Sequence, residues 1–298
     1  MNGEPNLAGV RPISRTRLSS VRRLMLKQGR AAADQFLVDG VQATREAVRY
    51  GGAHTLLIAE PLLAALDQWK PGTAVQLAGA SQLAAPQVVA ASQLAALTQL
   101  LYDAERLAIE VVSISAVADK QLSDTVTSPG VFALCTRQRP ELTSVSGAKL
   151  VAICAAVRDP GNAGTIIRTA DAFGADAVVF TTGSVEAENP KTVRASVGSL
   201  FHLPVVQGVS FATAVAWARG NALQVLVADA DGQLLTTTRL DTPTAWVFGN
   251  EAWGFPPDVL AQADAVVSVP MFGKAESLNV AAAAAVCLFA TATAQRTG

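Results

Sequence analysis

Three short segments carry polar residues at spacings that suit group transfer. RDPGNAGTIIRTADAFGAD (158–176) turns at Pro160 and Gly161, offers Asn162 as a helix N-cap, and places Arg168 further along the same helix. Asn162 and Arg168 are expected to converge on one sheet edge. In FGNEAWGFPP (248–257), Gly249 and Gly254 let backbone approach a ligand closely, and Glu251 adds a carboxylate. VPMFGKAESLNV (269–280) runs through a glycine loop to Ser277 and Asn279 at a helix start. Each segment alone is ordinary turn chemistry; three at successive strand ends point to a site. The common nucleotide and hydrolase signatures are missing. No G-x-G-x-x-G opens a helix, Gly273-Lys274 lacks the upstream glycine of a P-loop, and there is no G-x-S-x-G.

The elements that must hold these loops read as alternating strands and helices. Strands are expected at 150–157, 177–182, 223–229, 245–249 and 265–270, with helices between and a last helix from about Ser277. Continuous apolar strands alternating with helices predict a parallel sheet covered on both faces, with ligands at the carboxyl ends of its strands. VAAAAAVCLFA (280–290) is apolar all round and is expected to be buried. Upstream, a basic helical segment is expected over residues 1–30, its helix running from Ser19 to about Ala33. A small α/β domain over 31–137 follows, with FLVDG (36–40) and HTLLIAE (54–60) as strands. The polar stretch 138–149 reads as a linker to a domain over 150–298. The hexamer ASQLAA occurs at 80–85 and 91–96, too few copies for a repeat architecture, and the region 73–107 suits either helix or an insert.

Composition narrows the class. The chain has 298 residues, 50% hydrophobic and 16% charged, which excludes intrinsic disorder and suggests two domains. The longest apolar run, Val280 to Ala290, is 11 residues, short of the roughly 20 that span a bilayer, so no membrane partner is expected. No charged-then-apolar leader opens the sequence. Cys135, Cys154 and Cys287 form no C-x-x-C pair and fit a reducing cytoplasm; with His54 and His202 they give no zinc pattern, so no metal is expected. The net charge of −1 conceals an asymmetry. Residues 1–30 hold Arg11, Arg15, Arg17, Arg22, Arg23, Lys27 and Arg30 against Glu4, a net of +6, leaving −7 for the remainder. Such a cluster suits a polyanion, and also suits a solvated amphipathic helix.

The loops also carry a resemblance. DPGNAGTIIRTADAFGADAVVF is similar to the first motif of the SpoU (TrmH-like) branch of the SPOUT methyltransferases. FGNEAWGFP resembles the second and VPMFGKAESLNVAAAAAVCLF the third, in family order, with NPKTVRASVGSLFHLPV (189–205) matching the text between the first two. The resemblance covers 150–295. FLVDGVQATREAV resembles, more weakly, the small substrate-binding domain that precedes many such catalytic domains. The implied architecture is an α/β parallel-sheet domain tied in a deep trefoil knot, an exception to the rule that chains avoid knots, preceded by a small α/β RNA-binding domain. The implied activity is S-adenosylmethionine-dependent methylation of a ribose 2′-hydroxyl in structured RNA by a homodimer, with catalytic groups of one chain acting beside cofactor held by the other.

Residue roles follow motif by motif. Arg168 matches the catalytic arginine. A guanidinium stays protonated, which makes it an awkward base. Either a neighbouring phosphate assists proton removal, or Arg168 clamps the phosphate and orients the hydroxyl; the clamp suits its bidentate fork better. A helix arginine paired with Asp171 is the plain structural alternative. Asn162, Glu251, Ser277 and Asn279 match the other polar catalytic positions, with simple capping an equal account of Asn162 and Asn279. Phe248, Gly249, Asn250, Gly254, Val269, Pro270, Met271, Ser277 and Leu278 match the cofactor pocket. At Ala281 many relatives carry serine. Arg22, Arg23, Arg30, Arg45 and Arg194 are the candidate RNA contacts, with Ser196 beside Arg194, while His202 reads as structural. Only 16 residues are aromatic, so shape and phosphate recognition of folded RNA is favoured over base stacking. The basic lead-in and extra domain favour ribosomal RNA; transfer RNA, or RNA binding without catalysis, are the alternatives.

Overall fold

The computed structural model describes residues 7, 9–76, 88–125, 127–249, 255 and 260–297. The chain divides into two compact units, Met1–Arg137 and Gln138–Gly298.

In the first unit the elements run β1 (Arg11–Pro12), α1 (Arg15–Arg23), α2 (Lys27–Ala33), β2 (Gln35–Asp39), α3 (Val41–Tyr50), β3 (Ala53–Ala59), α4 (Glu60–Gln68), β4 (Val75–Gln76), β5 (Val88–Val89), α5 (Ala91–Arg106), β6 (Glu110–Ile114), α6 (Ala116–Leu122) and β7 (Val131–Thr136). Five strands form a mixed sheet in the order β1-β6-β3-β7-β2. β3 runs parallel to β6 and antiparallel to β7. The second ASQLAA copy opens α5, where Gln93 Oε1 accepts the Ala90 N–H at 3.1 Å; the first copy lies outside the described residues.

The single helix expected up to Ala33 is two helices. No proline breaks it. Instead the Arg30 guanidinium, only 2% exposed, folds back and donates to the Leu24 and Met25 carbonyls at 3.0 and 3.2 Å, satisfying acceptors that the end of α1 leaves open. A Cβ on Gly29 would sit 1.9 Å from the Arg23 carbonyl oxygen, so only glycine permits this approach. Sequence periodicity carries no mark of such a side-chain-closed break.

The second unit runs β8 (Leu150–Cys154), α7 (Pro160–Ala172), β9 (Ala177–Thr181), α8 (Pro190–Ser196), β10 (Val205–Val209), α9 (Phe211–Gly220), β11 (Gln224–Leu234), β12 (Thr244–Phe248), β13 (Ala265–Ser268) and α10 (Val280–Thr297). Its strands pair in parallel in the order β10-β9-β8-β12-β11-β13. Residues alternate between two cores, as the twofold period of a strand requires. Ala152, Cys154, Trp246 and Phe248 face one cluster with Ile166, Ile167, Ala284 and Leu288. Val151, Ile153, Ala245 and Val247 face the other, with Ala214, Val215 and Ala218 of α9. β10, with Gly208 breaking its register, had no clear signal in the sequence.

Two further expectations change. The stretch 138–149 belongs to the second unit: Leu142, Val145 and Ala148 are buried in its core. α10 is buried on one face only. Ala284, Cys287, Leu288 and Ala292 are buried, and the Trp246 indole donates to Thr291 at 2.8 Å, while Ala282, Val286, Phe289 and Thr293 are exposed. By length and composition α10 is apolar enough to cross a membrane; its buried face against this sheet is that of a core helix. All three cysteines are buried and unpaired with one another. Burial pushes the Cys287 thiol up to about 12 and those of Cys135 and Cys154 well above the ordinary range, so none is a nucleophile.

Candidate active site

Strand order creates the site. β8 leads to β9 on one side, whereas its other neighbour, β12, leads across β11 to β13 on the other. Loops leaving β8 and β12 therefore diverge, and a crevice opens at the carboxyl ends where the direction switches. There a cavity of about 310 Å³ is lined by the middle of β11 (Ala228, Asp229, Ala230), the end of β12 (Phe248, Gly249) and the end of β13 (Val267, Val269). Met271, Glu276, Ser277 and Leu278 line it from the following loop, with Phe255, Val280 and Ala283. β11 widens here: Ala228 and Gln233 both pair with Val267, so residues 229–232 bulge out beside the cavity.

The first and third polar loops are joined directly. Asn279 caps α10, its Oδ1 accepting the Ala281 and Ala282 N–H groups at 2.9 and 3.3 Å. Its Nδ2 donates to Asn162 Oδ1 at 2.9 Å. Asn162 is not the N-cap of α7. Asp159 holds that place, accepting the Asn162 N–H at 2.7 Å, because Pro160 takes the first helical position and needs no donor satisfied. Asn162 is thereby freed to bind Asn279. Both capping and loop bridging, offered as alternatives from sequence, are served by Asn279 at once.

Arg168 does not line the cavity. It stands exposed on α7, and its guanidinium meets no carboxylate among the described residues. The Asp171 carboxylate, the alternative partner, is held 2.8 Å from His202 Nδ1; His202 so ties the segment after α8 to α7. A Cβ on Gly164 would come within 2.4 Å of the Thr192 carbonyl, so glycine lets α8 cross α7 closely. This crossing buries Ser196, whose hydroxyl donates to the Val193 carbonyl at 2.8 Å and is closed to RNA. Arg194 is half-buried on the same helix.

Of the other expected residues, Pro270 sits between two lining residues without lining the cavity itself. Asn250, Glu251 and Gly254 lie outside the described residues. Asp229 and Glu276 were missed. Their signal was available: Asp229 closes the apolar run LQVLVAD, and Glu276 precedes Ser277 in the third motif. In the first unit Arg22 and Arg23 are exposed, Arg45 is held by Glu46 and Gln42 at 3.1 and 2.9 Å, and Arg30 is buried as a structural cap, which excludes it as an RNA contact. Among the described residues no three His, Cys, Asp or Glu side chains converge on a metal position.

The cavity is compatible with S-adenosylmethionine. Phe248, Val267, Val269, Leu278 and Val280 give apolar walls for a flat ring, and its size is at the lower end of ligand pockets, about 300–1,000 Å³. Asp229 and Glu276 set negative charge on the rim, which suits a ligand carrying a sulfonium and an ammonium. Gly249 is fixed by Phe255, whose ring a Cβ would meet at 2.5 Å.

A switch-point cavity on a doubly covered parallel sheet places the second unit among the α/β domains that bind nucleotide-like cofactors. The SpoU rRNA Methylase family matches residues 149–289. A Bacillus subtilis protein named 23S rRNA (guanosine(2553)-2′-O)-methyltransferase RlmP is 36% identical over 182 residues, 61% of this chain and 72% of the relative. A Streptomyces laurentii 23S rRNA (adenosine(1067)-2′-O)-methyltransferase is 33% identical over 196 residues, covering 63% and 72%. A putative TrmH-family RNA methyltransferase from Porphyromonas gingivalis has the same fold, with a TM-score of 0.70 and 26% identity over 94% of this chain and 98% of that one. At 24% identity, the Streptomyces viridochromogenes SpoU methyltransferase AviRb, solved with AdoMet, agrees in fold with a TM-score of 0.73 over 95% and 99%. The chain belongs to the SpoU rRNA methylase family.

Proposed function

We propose that this protein transfers the methyl group of S-adenosylmethionine to a ribose 2′-hydroxyl of ribosomal RNA. The observation that carries the reading is the cavity beside β11, β12 and β13, whose third-motif loop is tied to the first motif by Asn279 and Asn162. Named relatives differ in the base they act on but share the 2′-oxygen of 23S rRNA, which favours ribosomal over transfer RNA.

When bound, S-adenosylmethionine supplies a methyl group already activated by its sulfonium. The protein has to bind, align and relieve the hydroxyl of its proton. Phe248, Val267, Val269 and Leu278 would hold its adenine, and Asp229 and Glu276 would meet its cationic groups. Asn162 and Asn279 fix the two loops; Ser277 orients the reacting groups from the cavity wall. Glu251, with Asn250 and Gly254, completes the second motif by family likeness. Arg168 clamps a backbone phosphate, holding the 2′-oxygen in line. A proton then leaves to a neighbouring phosphate or water, since guanidinium is no base at neutral pH.

Arg168 reaches a cavity in a homodimer. Its helix, α7, packs beside α10, where the Phe173 and Phe289 rings lie 5.5 Å apart. Exposed Ala282, Val286, Phe289 and Thr293 form a stripe along α10 that suits a second copy, and the family likeness would set each Arg168 beside its partner's cavity. The strand order, with β12 inserted between β8 and β11, supports the family's knot. Exposed Arg11, Arg15, Arg22, Arg23 and Lys27 suit RNA phosphate, and the buried free thiols suit the cytoplasm.

Calorimetry with S-adenosylmethionine and transfer of radiolabelled methyl to total RNA test this reading. Labelled ribose in ribosomal RNA is the expected result. Label in tRNA alone overturns the choice of RNA, and absence of cofactor binding overturns the enzyme.

A further inference from the structure

Phe272 is 94% exposed, the most exposed large apolar side chain among the described residues. An isolated exposed apolar residue is commonplace, but its position is not. Met271 on one side and Glu276, Ser277 and Leu278 on the other line the cofactor cavity, so Phe272 projects from the loop that borders its mouth. It has no ring partner among the described residues, unlike Phe289, which packs on Phe173. Two residues on, Lys274 is also exposed.

We propose that Phe272 is the stacking platform for the base of the nucleotide whose ribose is presented to the cavity. The inference rests on the methyltransferase reading above. A 2′-oxygen aligned with the cavity places its own base a few ångströms away, at the rim that this loop forms. A bare aromatic face beside an ammonium matches base and phosphate together: the ring takes the π-face, and Lys274 takes the adjacent phosphate. Stacking accepts any base, which agrees with one fold serving relatives named for guanosine and for adenosine. Recognition of the surrounding RNA falls to the basic first unit, and Phe272 holds the single nucleotide at the reaction.

Phe272→Ala, Phe272→Leu and Phe272→Trp in the full chain test this with in vitro transcribed 23S rRNA. KM for that RNA, its Kd without cofactor, S-adenosylmethionine affinity and sedimentation mass are measured for each. The Ala and Leu variants are expected to raise KM and Kd for RNA about ten- to hundredfold. The Trp variant should match wild type, and cofactor affinity and mass should be unchanged in all three. Leu matching wild type shows an apolar contact without stacking and overturns the proposal, as does an unchanged RNA KM in the Ala variant. A change in mass assigns Phe272 to a second copy, and lost cofactor binding assigns it to the cavity; either overturns the proposal. RNA binding that weakens in Phe272→Ala without any methyl transfer by wild type sinks the methyltransferase reading and spares the stacking. Methyl transfer indifferent to Phe272 does the reverse, and RNA neither bound nor methylated sinks both.

Discussion

In the first unit two members of the basic cluster, Arg17 and Arg30, are spent inside the protein. Arg17 grips Glu110 through both terminal guanidinium nitrogens at 2.7 and 2.5 Å and also reaches Thr55, while Arg30 is buried against two carbonyls. In the second unit Arg168 stands exposed with no carboxylate partner among the described residues, and Asp229, Glu276 and Ser277 line a cavity. The difference follows from architecture. A parallel sheet with a switch point aligns strand ends at one crevice, so polar residues there face a ligand. A mixed sheet with antiparallel neighbours has no such common end; there Arg17 fastens α1 to β6 and β3, and Arg30 closes the junction between α1 and α2.

The strongest challenge to this comparison is to exchange the two arginine types for alanine. Arg168→Ala should cost about 10²–10³ in kcat, the scale of losing one group that positions charge in a transition state, with S-adenosylmethionine affinity within about twofold of wild type. Arg168→Lys should recover little, because an ammonium lacks the bidentate fork. Retained turnover in Arg168→Ala would remove the clamp. Arg30→Ala should act on folding: removing a buried guanidinium that satisfies two carbonyls costs about 2–3 kcal/mol, read as a lower Tm. Arg22→Ala with Arg23→Ala should leave Tm alone and lower the salt slope of RNA binding by about one for each phosphate no longer neutralised. An Arg30 variant with native Tm but weaker RNA binding would return that residue to the RNA surface.

Next in size is the bridge between the motif loops. Asn279→Ala removes both a helix cap and the bond to Asn162, a loss of about 1–2 kcal/mol with weaker cofactor binding. Asn279→Asp keeps the cap acceptor and loses the donor, so it should fold near normally and bind cofactor less well. A double-mutant cycle with Asn162→Ala isolates the bridge; additive losses would mean that the two asparagines act independently.

The sequence patterns that were legible are those with a local cause. Apolar runs located the strands β8, β9, β11, β12 and β13 because a doubly covered sheet buries β8, β9 and β12 throughout and the core stretches Val225–Val227 and Val267–Ser268 of the other two. Loop glycines and prolines located the turns, and family likeness located Phe248, Val269 and Ser277 at what proves to be one cavity wall. What stayed hidden depends on side chains meeting across distance. Nothing in LMLKQGR tells that Arg30 will turn back on Leu24 and Met25, or that Asp171 will choose His202 over Arg168. Nor does VAAAAAVCLFA show which stripe is left exposed, since alanine fits either face of a helix.

The smallest expected effect concerns pH, and it separates the two units again. His54 in the first unit is held below the usual imidazole value by burial, then by the nearby Arg17 charge, with Glu110 opposing. Its Nδ1 lies 3.0 Å from the Thr55 hydroxyl, and its Nε2 is buried without a partner among the described residues. Glu110 is held below the usual carboxylate value, chiefly by its hydrogen bond to Arg17. Both shifts have the same sign. The unfolded chain binds more protons, so each contribution is present above the group's ordinary value and lost as pH falls towards its lower folded value. The first loss begins near 6.5, the ordinary histidine value, and the second near 4.5. Because Glu110 is exposed and His54 only partly buried, each step should be modest, about 1–2 °C in Tm. His54→Gln should flatten the Tm profile between neutral pH and the onset of the Glu110 step, and Glu110→Gln should flatten it below that. If the first-unit transition lost stability equally in wild type and both variants, the acid sensitivity would belong elsewhere, and the Arg17 cluster would be a fastening with no titration of its own.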